Sequence, residues 1–122
     1  MSAPRPIAIV AEGDPLLRLD AADMLDALGF DVLEACHARE AMQHLEDRDG
    51  VALLYTDIRM PGSMCGRQLA HLCAERWPET RIIVCSSCHR SEAAQLPQTA
   101  HFIPKPCAEK LVRSALKALR FH

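Results

Sequence analysis

"LLYTDIRMPG", Leu53 to Gly62, is the stretch whose reading decides the fold. A continuous apolar run ends in one carboxylate, Asp57, and a turn sequence follows at once. An apolar run without period-two alternation reads as a strand covered on both faces, and such strands belong to parallel sheets flanked by helices. In open sheets of that kind ligands gather beyond the carboxyl ends of the strands, which is where Asp57 falls.

The chain on either side fits that reading. Upstream, "IAIV" (Ile7 to Val10) is a first short strand. Asp14-Pro15 then supplies an N-cap and a first-turn proline. Leu17, Ala21, Met24, Leu25 and Leu28 form one face of a helix that stops at Gly29,. "FDVLEA" is the second strand, and Ala38, Ala41, Met42 and Leu45 follow at helical spacing. Downstream, Gly66 to Arg76 reads as a helix, "RIIVCSS" as the fourth strand and "AHFIP" as the fifth. The closing helix "AEKLVRSALKAL" directs Leu111, Val112, Ala115, Leu116 and Leu119 inward. Regular alternation of strand and helix argues for an α/β domain with one parallel sheet between two helical layers. Cys88 to Thr99 is too polar for a long fourth helix, so one or two turns, or a mobile loop, is expected there.

Composition narrows the function. With 122 residues, one domain spanning 1–122 is expected,. The chain is 49% hydrophobic and 25% charged, with a net charge of -2, so no basic surface points to nucleic acid,. No apolar stretch reaches the roughly 18 residues of a membrane span, and the N-terminus lacks a signal peptide, so a cytoplasmic location is expected. Six cysteines (Cys36, Cys65, Cys73, Cys85, Cys88 and Cys107) are then read as reduced thiols,. Neither they nor the six histidines have metal-ligand spacing,.

Four strand ends bring polar groups to one rim: Glu12 and Asp14, Asp57, Ser86 and Ser87, and Lys105. Each has an ordinary structural explanation when taken singly, as a helix-start acid, a cap or a surface residue. Together they suit a hard cation and a phosphoryl group. Mg²⁺ takes oxygen ligands and often only one or two protein carboxylates. A lysine and a hydroxyl bind phosphoryl oxygens, leaving Asp57 as a carboxylate nucleophile.

The sequence at this point resembles the receiver domains of two-component response regulators, here of stand-alone type. The residues that carry the resemblance are "AEGDPLLR" (Ala11 to Arg18), "TDIRMPG" (Thr56 to Gly62), Ser86 after "IIVC", and "FIPKP" (Phe102 to Pro106). The resemblance implies a flavodoxin-like (CheY-like) doubly wound sheet of five strands in the order 2-1-3-4-5. It implies Asp57 as phosphoacceptor, Ser86 and Lys105 as catalytic contacts to the phosphoryl group, and Ser86 with Phe102 as the switch. Glu12, Asp57 and the carbonyl of Arg59 match the Mg²⁺ ligands. Arg59 and Cys88 match positions that tune phosphoryl lifetime, and the Lys105–Pro106 bond is expected to be cis. A histidine kinase or histidine phosphotransfer protein is implied as donor, and a protein as downstream partner. No direct contact with nucleic acid or membrane is expected, and the chain is expected as a monomer or weak homodimer.

Three positions depart from the family pattern. Gly13 stands where a second acid is usual, so weak Mg²⁺ binding is expected. Cys65 replaces a common aspartate before a helix, a place that activates thiols. "CSSC", Cys85 to Cys88, spells CxxC, but Cys85 belongs to a strand and should be buried opposite Ser86,. Two other readings therefore stay open: a pseudo-receiver that binds partners without turning over phosphate, and a thiol sensor using Cys65 or Cys88.

Overall fold

The computed structural model describes residues 4–87 and 94–119. The strands are β1 (Ile7–Ala11), β2 (Asp31–Ala35), β3 (Leu53–Thr56), β4 (Arg81–Ser86) and β5 (Ala100–Pro104). The helices are α1 (Pro15–Ala27), α2 (Ala38–Asp47), α3 (Gly66–Arg76) and the closing α4 (Glu109–Ala118). All neighbouring strands pair in parallel, in the order β2-β1-β3-β4-β5. The expected doubly wound sheet is therefore present.

Successive residues of each strand feed opposite faces, as the pleat requires. Ile9, Leu54, Ile82 and Val84 pack with Ala41, Leu45, Leu69 and Cys73 of α2 and α3. Val10, Leu53, Tyr55 and Ile83 pack with Leu25 of α1 and Val112 and Leu116 of α4. Ile9, Leu53, Leu54, Ile82 and Ile83 are at most 1% exposed. Each large side chain buried this way contributes roughly 1.5–3 kcal/mol. A buried central strand cannot slip in register without turning that whole set outward, so the strand ends are held in alignment.

Local sequence sets the helix starts. Asp14 is extended, and its Oδ1 accepts hydrogen bonds from the N–H groups of Leu16 and Leu17 at 2.9 and 3.1 Å. It therefore caps α1 and faces away from a metal role. His37 caps α2: its Nδ1 accepts from the Glu40 N–H at 3.1 Å. Glu40 reciprocates by accepting from the Cys36 N–H at 2.7 Å. That bond holds the Glu40 carboxyl below its ordinary value against the opposing effect of burial, with the nearby His37 and His44 assisting. Gly29, at φ +104°, ends α1 in a conformation other residues rarely adopt,.

Three expectations need correction. Leu17, expected on the apolar face of its helix, and Leu111, expected inward, are 43% and 44% exposed. The buried stripe of α1 runs through Ala21, Ala22 and Leu25, and Leu17 precedes it by a full turn,. On α4 the stripe is Val112, Ala115 and Leu116, which leaves Leu111 about 100° to one side,. The second strand begins at Asp31; Phe30 is buried ahead of it. In the segment expected to hold only a short or irregular fourth helix, residues 94–99 form turns; residues 88–93 lie outside the described residues. Among the described residues, no helix is long and apolar enough to cross a membrane.

Candidate functional site

Each polar rim residue is fastened by one hydrogen bond that extends the sheet ladder past its strand. Glu12 N–H donates to the Ala35 carbonyl and Asp57 N–H to the Ala11 carbonyl, both at 3.0 Å. Lys105 N–H donates to the Ser86 carbonyl at 3.1 Å. The rim is thus built on rigid strand ends, with Glu12, Asp57 and Lys105 each one residue beyond a strand and Ser86 closing its own.

Asp57 has an ionic partner. Lys105 Nζ donates to Asp57 Oδ2 at 2.6 Å and to Glu12 Oε1 at 2.8 Å. Both carboxylate residues are 7% exposed. The remaining oxygens are also engaged: Asp57 Oδ1 accepts from the Arg59 N–H at 3.2 Å, and Glu12 Oε2 from the Asp14 N–H at 3.1 Å. Arg18 Nη1 donates to the Glu12 carbonyl at 2.9 Å. Burial pulls the Lys105 ammonium toward deprotonation. The hydrogen bonds to Asp57 and Glu12, together with their charges, outweigh it and hold the group above the ordinary lysine value. Tyr55 lies beneath, 5% exposed. Burial first, then the charges of Glu12 and Asp57, push its hydroxyl well above the usual tyrosine range.

The other candidates are distributed as follows. Ser86 is 1% exposed, and its Oγ finds no hydrogen-bond partner among the described residues. A buried hydroxyl without a partner is costly unless a ligand or water meets it. Phe102 is partly buried against the α2–α3 cluster and stands in register with Val84. Arg59 has an exposed side chain. Cys88 lies outside the described residues. The Lys105–Pro106 bond is cis, as expected.

Two contributors, Gly66 and Cys107, are not apparent from the sequence as parts of the site, and Gly13 shows there only as a missing acid. Gly66 opens α3 directly against the backbone of Asp57: a Cβ there would lie 1.6 Å from the Asp57 carbonyl oxygen and 2.8 Å from Ile58 Cα. Its N–H donates to the Ile58 carbonyl at 2.7 Å. Gly13 abuts Pro61, and a Cβ at Gly13 would lie 2.8 Å from Pro61 Cδ. Cys107, two residues after Lys105, is joined to Cys85 as a disulfide. That pairing corrects the expectation of six reduced thiols, and it leaves no role for Cys85 in the CxxC. Cys85 points away from the Ser86 face, buried as expected, and the chain past Pro106 turns back to meet it. Cys65 is partly buried at the N-cap of α3, its N–H donating to Gln68 Oε1 at 3.1 Å. The buried thiol of Cys73 is pushed up to about 12 by burial.

Glu12 and Asp57 converge on one cation, so their oxygens suit a hard divalent ion in donor type and placement. Among the described residues no set of three or more His, Cys, Asp or Glu side chains surrounds a metal position. A site of two carboxylates fits Mg²⁺ that keeps several waters, and Lys105 already neutralises the same two groups.

This arrangement has close parallels. The family model for the response regulator receiver domain matches residues 8–117. A response regulator receiver protein from Sinorhizobium medicae WSM419 superposes with a TM-score of 0.86 at 23% identity, covering 94% of each chain. One from Pseudomonas putida gives 0.82 at 24% identity, covering 96% of this chain and 99% of that one. The response regulator TrrA from Thermotoga maritima, solved in complex with Mg²⁺ and BeF, gives 0.80 at 19% identity over 93% and 98% of the two chains. With its sheet order, its rim of acid and lysine and a family match over most of its length, the chain belongs to the response regulator receiver domains of two-component systems.

Proposed function

We propose that this receiver accepts a phosphoryl group on Asp57 from a phosphohistidine donor, a histidine kinase or histidine phosphotransfer protein, and thereby changes its binding to a downstream protein. The observation that carries the reading is the contact of Asp57 Oδ2 with Lys105 Nζ at 2.6 Å, at a strand end where Ser86, one strand away, offers a hydroxyl without a partner among the described residues. In the transfer, an Asp57 carboxylate oxygen attacks phosphorus and the nitrogen–phosphorus bond breaks. The electron pair returns to the donor imidazole, which takes up a proton. Lys105 shifts from the carboxylates to the incoming phosphoryl oxygens, and Ser86 Oγ donates to another. Glu12, Asp57 and the Arg59 carbonyl are the groups that would hold Mg²⁺; when bound, the ion neutralises charge between Asp57 and the phosphoryl oxygens. Movement of Ser86 toward the phosphoryl group frees space for Phe102, which is only partly buried, to turn inward,. Arg59 and Cys88, at the positions that match the family's lifetime-tuning residues, govern how long the phosphoryl group persists. The domain acts as a switch whose only chemistry is its own phosphorylation and dephosphorylation.

Incubation with acetyl phosphate and Mg²⁺, read by intact mass, tests this. The expected result is an adduct of about 80 Da that is absent in Asp57→Asn. Gly13 and the crowding by Pro61 favour a second reading, a pseudo-receiver that binds partners without accepting phosphate. An absent adduct with partner binding retained selects it.

A further inference from the structure

The Cys85–Cys107 pair is used by none of the chemistry above. Cys85 is the second-last residue of β4, 3% exposed, on the face that packs against α1 and α4. Cys107 is partly buried and lies between the cis Lys105–Pro106 bond and the start of α4. Their Cα atoms are 6.4 Å apart, within the ordinary disulfide range,. The ring they close has a sequence separation of 22 and contains Ser86, Phe102 and Lys105. Its ends are already joined by the Lys105 N–H to Ser86 carbonyl bond, and Ala108 N–H donates to the Pro106 carbonyl at 3.0 Å. The bond therefore clamps the short turn that carries the site's only bridging ammonium among the described residues.

We infer that Cys85 and Cys107 form a reversible thiol–disulfide modification site, oxidised by low-molecular-weight disulfides, and that closing it locks the Lys105 turn onto Asp57 and Glu12. A cavity of about 630 Å³ between α1 and α4 is lined by Cys85, Cys107, Asp57 and Lys105, and it gives a small oxidant access to the pair. The Cys107 thiolate attacks one sulfur of the small disulfide and expels one thiolate. Cys85 then loses its proton and attacks the Cys107 sulfur, expelling the second. The protein loses two electrons and two protons, and the small disulfide is reduced to two thiols. Lys105 must leave Glu12 before it can follow a phosphoryl group, so the locked turn slows phosphoryl acceptance. That last consequence rests on the Asp57 reading above; the lock itself does not.

The whole chain is equilibrated with dithiothreitol or with oxidised glutathione and read three ways. Peptide mapping is expected to find a Cys85–Cys107 cross-link only after oxidation. Hydrogen exchange at the Lys105 amide is expected to slow by roughly tenfold on oxidation. Phosphorylation by acetyl phosphate is expected to slow by roughly tenfold, the rate equivalent of one retained charge-assisted hydrogen bond. Cys107→Ala, at a partly exposed position, is expected to behave like the reduced protein in both buffers. No cross-link at any oxidant ratio, or a cross-link that leaves Lys105 exchange unchanged, overturns the lock. A cross-link with slowed exchange, but no phosphorylation in either state, upholds the lock and removes the Asp57 reading instead. Slowed exchange with equal phosphorylation rates overturns the coupling.

Discussion

Replacing Lys105 with methionine removes the one cation that, among the described residues, is shared by Asp57 and Glu12, while keeping the length of the side chain. Lys105 Nζ lies 2.6 Å from Asp57 Oδ2 and 2.8 Å from Glu12 Oε1. At an effective dielectric of about 20, each contact is roughly 6 kcal/mol of gross attraction. Desolvation of the three groups offsets most of that. The lysine side chain is also 22% exposed, so water screens part of what remains,. Truncation still strands two nearly buried carboxylates, and the expected cost at pH 7 is about 2–3 kcal/mol, below that of a fully buried pair. Without the ammonium, the two negative charges face each other with no cation between them. Mg²⁺ should restore part of the loss, by about 1.4 kcal/mol at tenfold above its Kd. In the wild type, the raised Lys105 pKa means that its contribution is complete below the ordinary lysine value of 10.5 and is lost only as pH rises through the folded value,. Urea denaturation followed by circular dichroism, with and without Mg²⁺, measures all of this. A loss under about 0.5 kcal/mol that does not respond to Mg²⁺ would refute the charge balance assigned to the site.

Other changes probe the neighbouring contacts. Gly66→Ala drives a methyl into the Asp57 carbonyl, where only backbone can yield, and should cost about 3 kcal/mol or more by thermal or urea unfolding,. Gly13→Asp alone presses on Pro61 and should destabilise the loop, whereas Gly13→Asp with Pro61→Ala should bind Mg²⁺ roughly tenfold more tightly than wild type by titration calorimetry,; equal affinity in the double variant would count against a weak two-carboxylate site. Glu40 has a lowered pKa, so its stabilisation is present above the ordinary carboxylate value and fades as pH falls through the folded one,. Glu40→Gln should lower the midpoint of unfolding at neutral pH and flatten its acid limb, read by a pH series of melts.

The strands and helices were legible because burial on two faces leaves a plain mark: "IAIV" and "RIIVC" have no alternation to misread. The cap at Asp14 and the helix stop at Gly29 were legible for the same reason, since their chemistry is local. The rim was legible because strand ends in a parallel sheet must share an edge. What was not legible depends on contacts between distant segments. Nothing near Gly66 announces that the Asp57 carbonyl lies against it. Gly13 reads as a missing acid until Pro61 is seen in the adjoining space. Cys85 invited pairing with Cys88 by spacing alone, whereas its partner comes from 22 residues away through a cis turn. Leu17 and Leu111 followed the helical period but sit at the margins of the stripes that the sheet covers.

The close approach of Gly66 to Asp57 has a mechanical consequence. The Asp57 main chain is held from one side by the first turn of α3 and from the other by the Ala11 carbonyl. Under the proposed phosphorylation, new charge on Asp57 therefore cannot be accommodated by displacing its own main chain. Accommodation must then come from groups on the β4–β5 flank, where the Ser86 hydroxyl lacks a partner among the described residues and the Phe102 ring is only partly buried. On the proposed reading, an immobile centre and a yielding flank make the response directional, so a partner that binds at β5 and the adjoining turn is the one best placed to sense it.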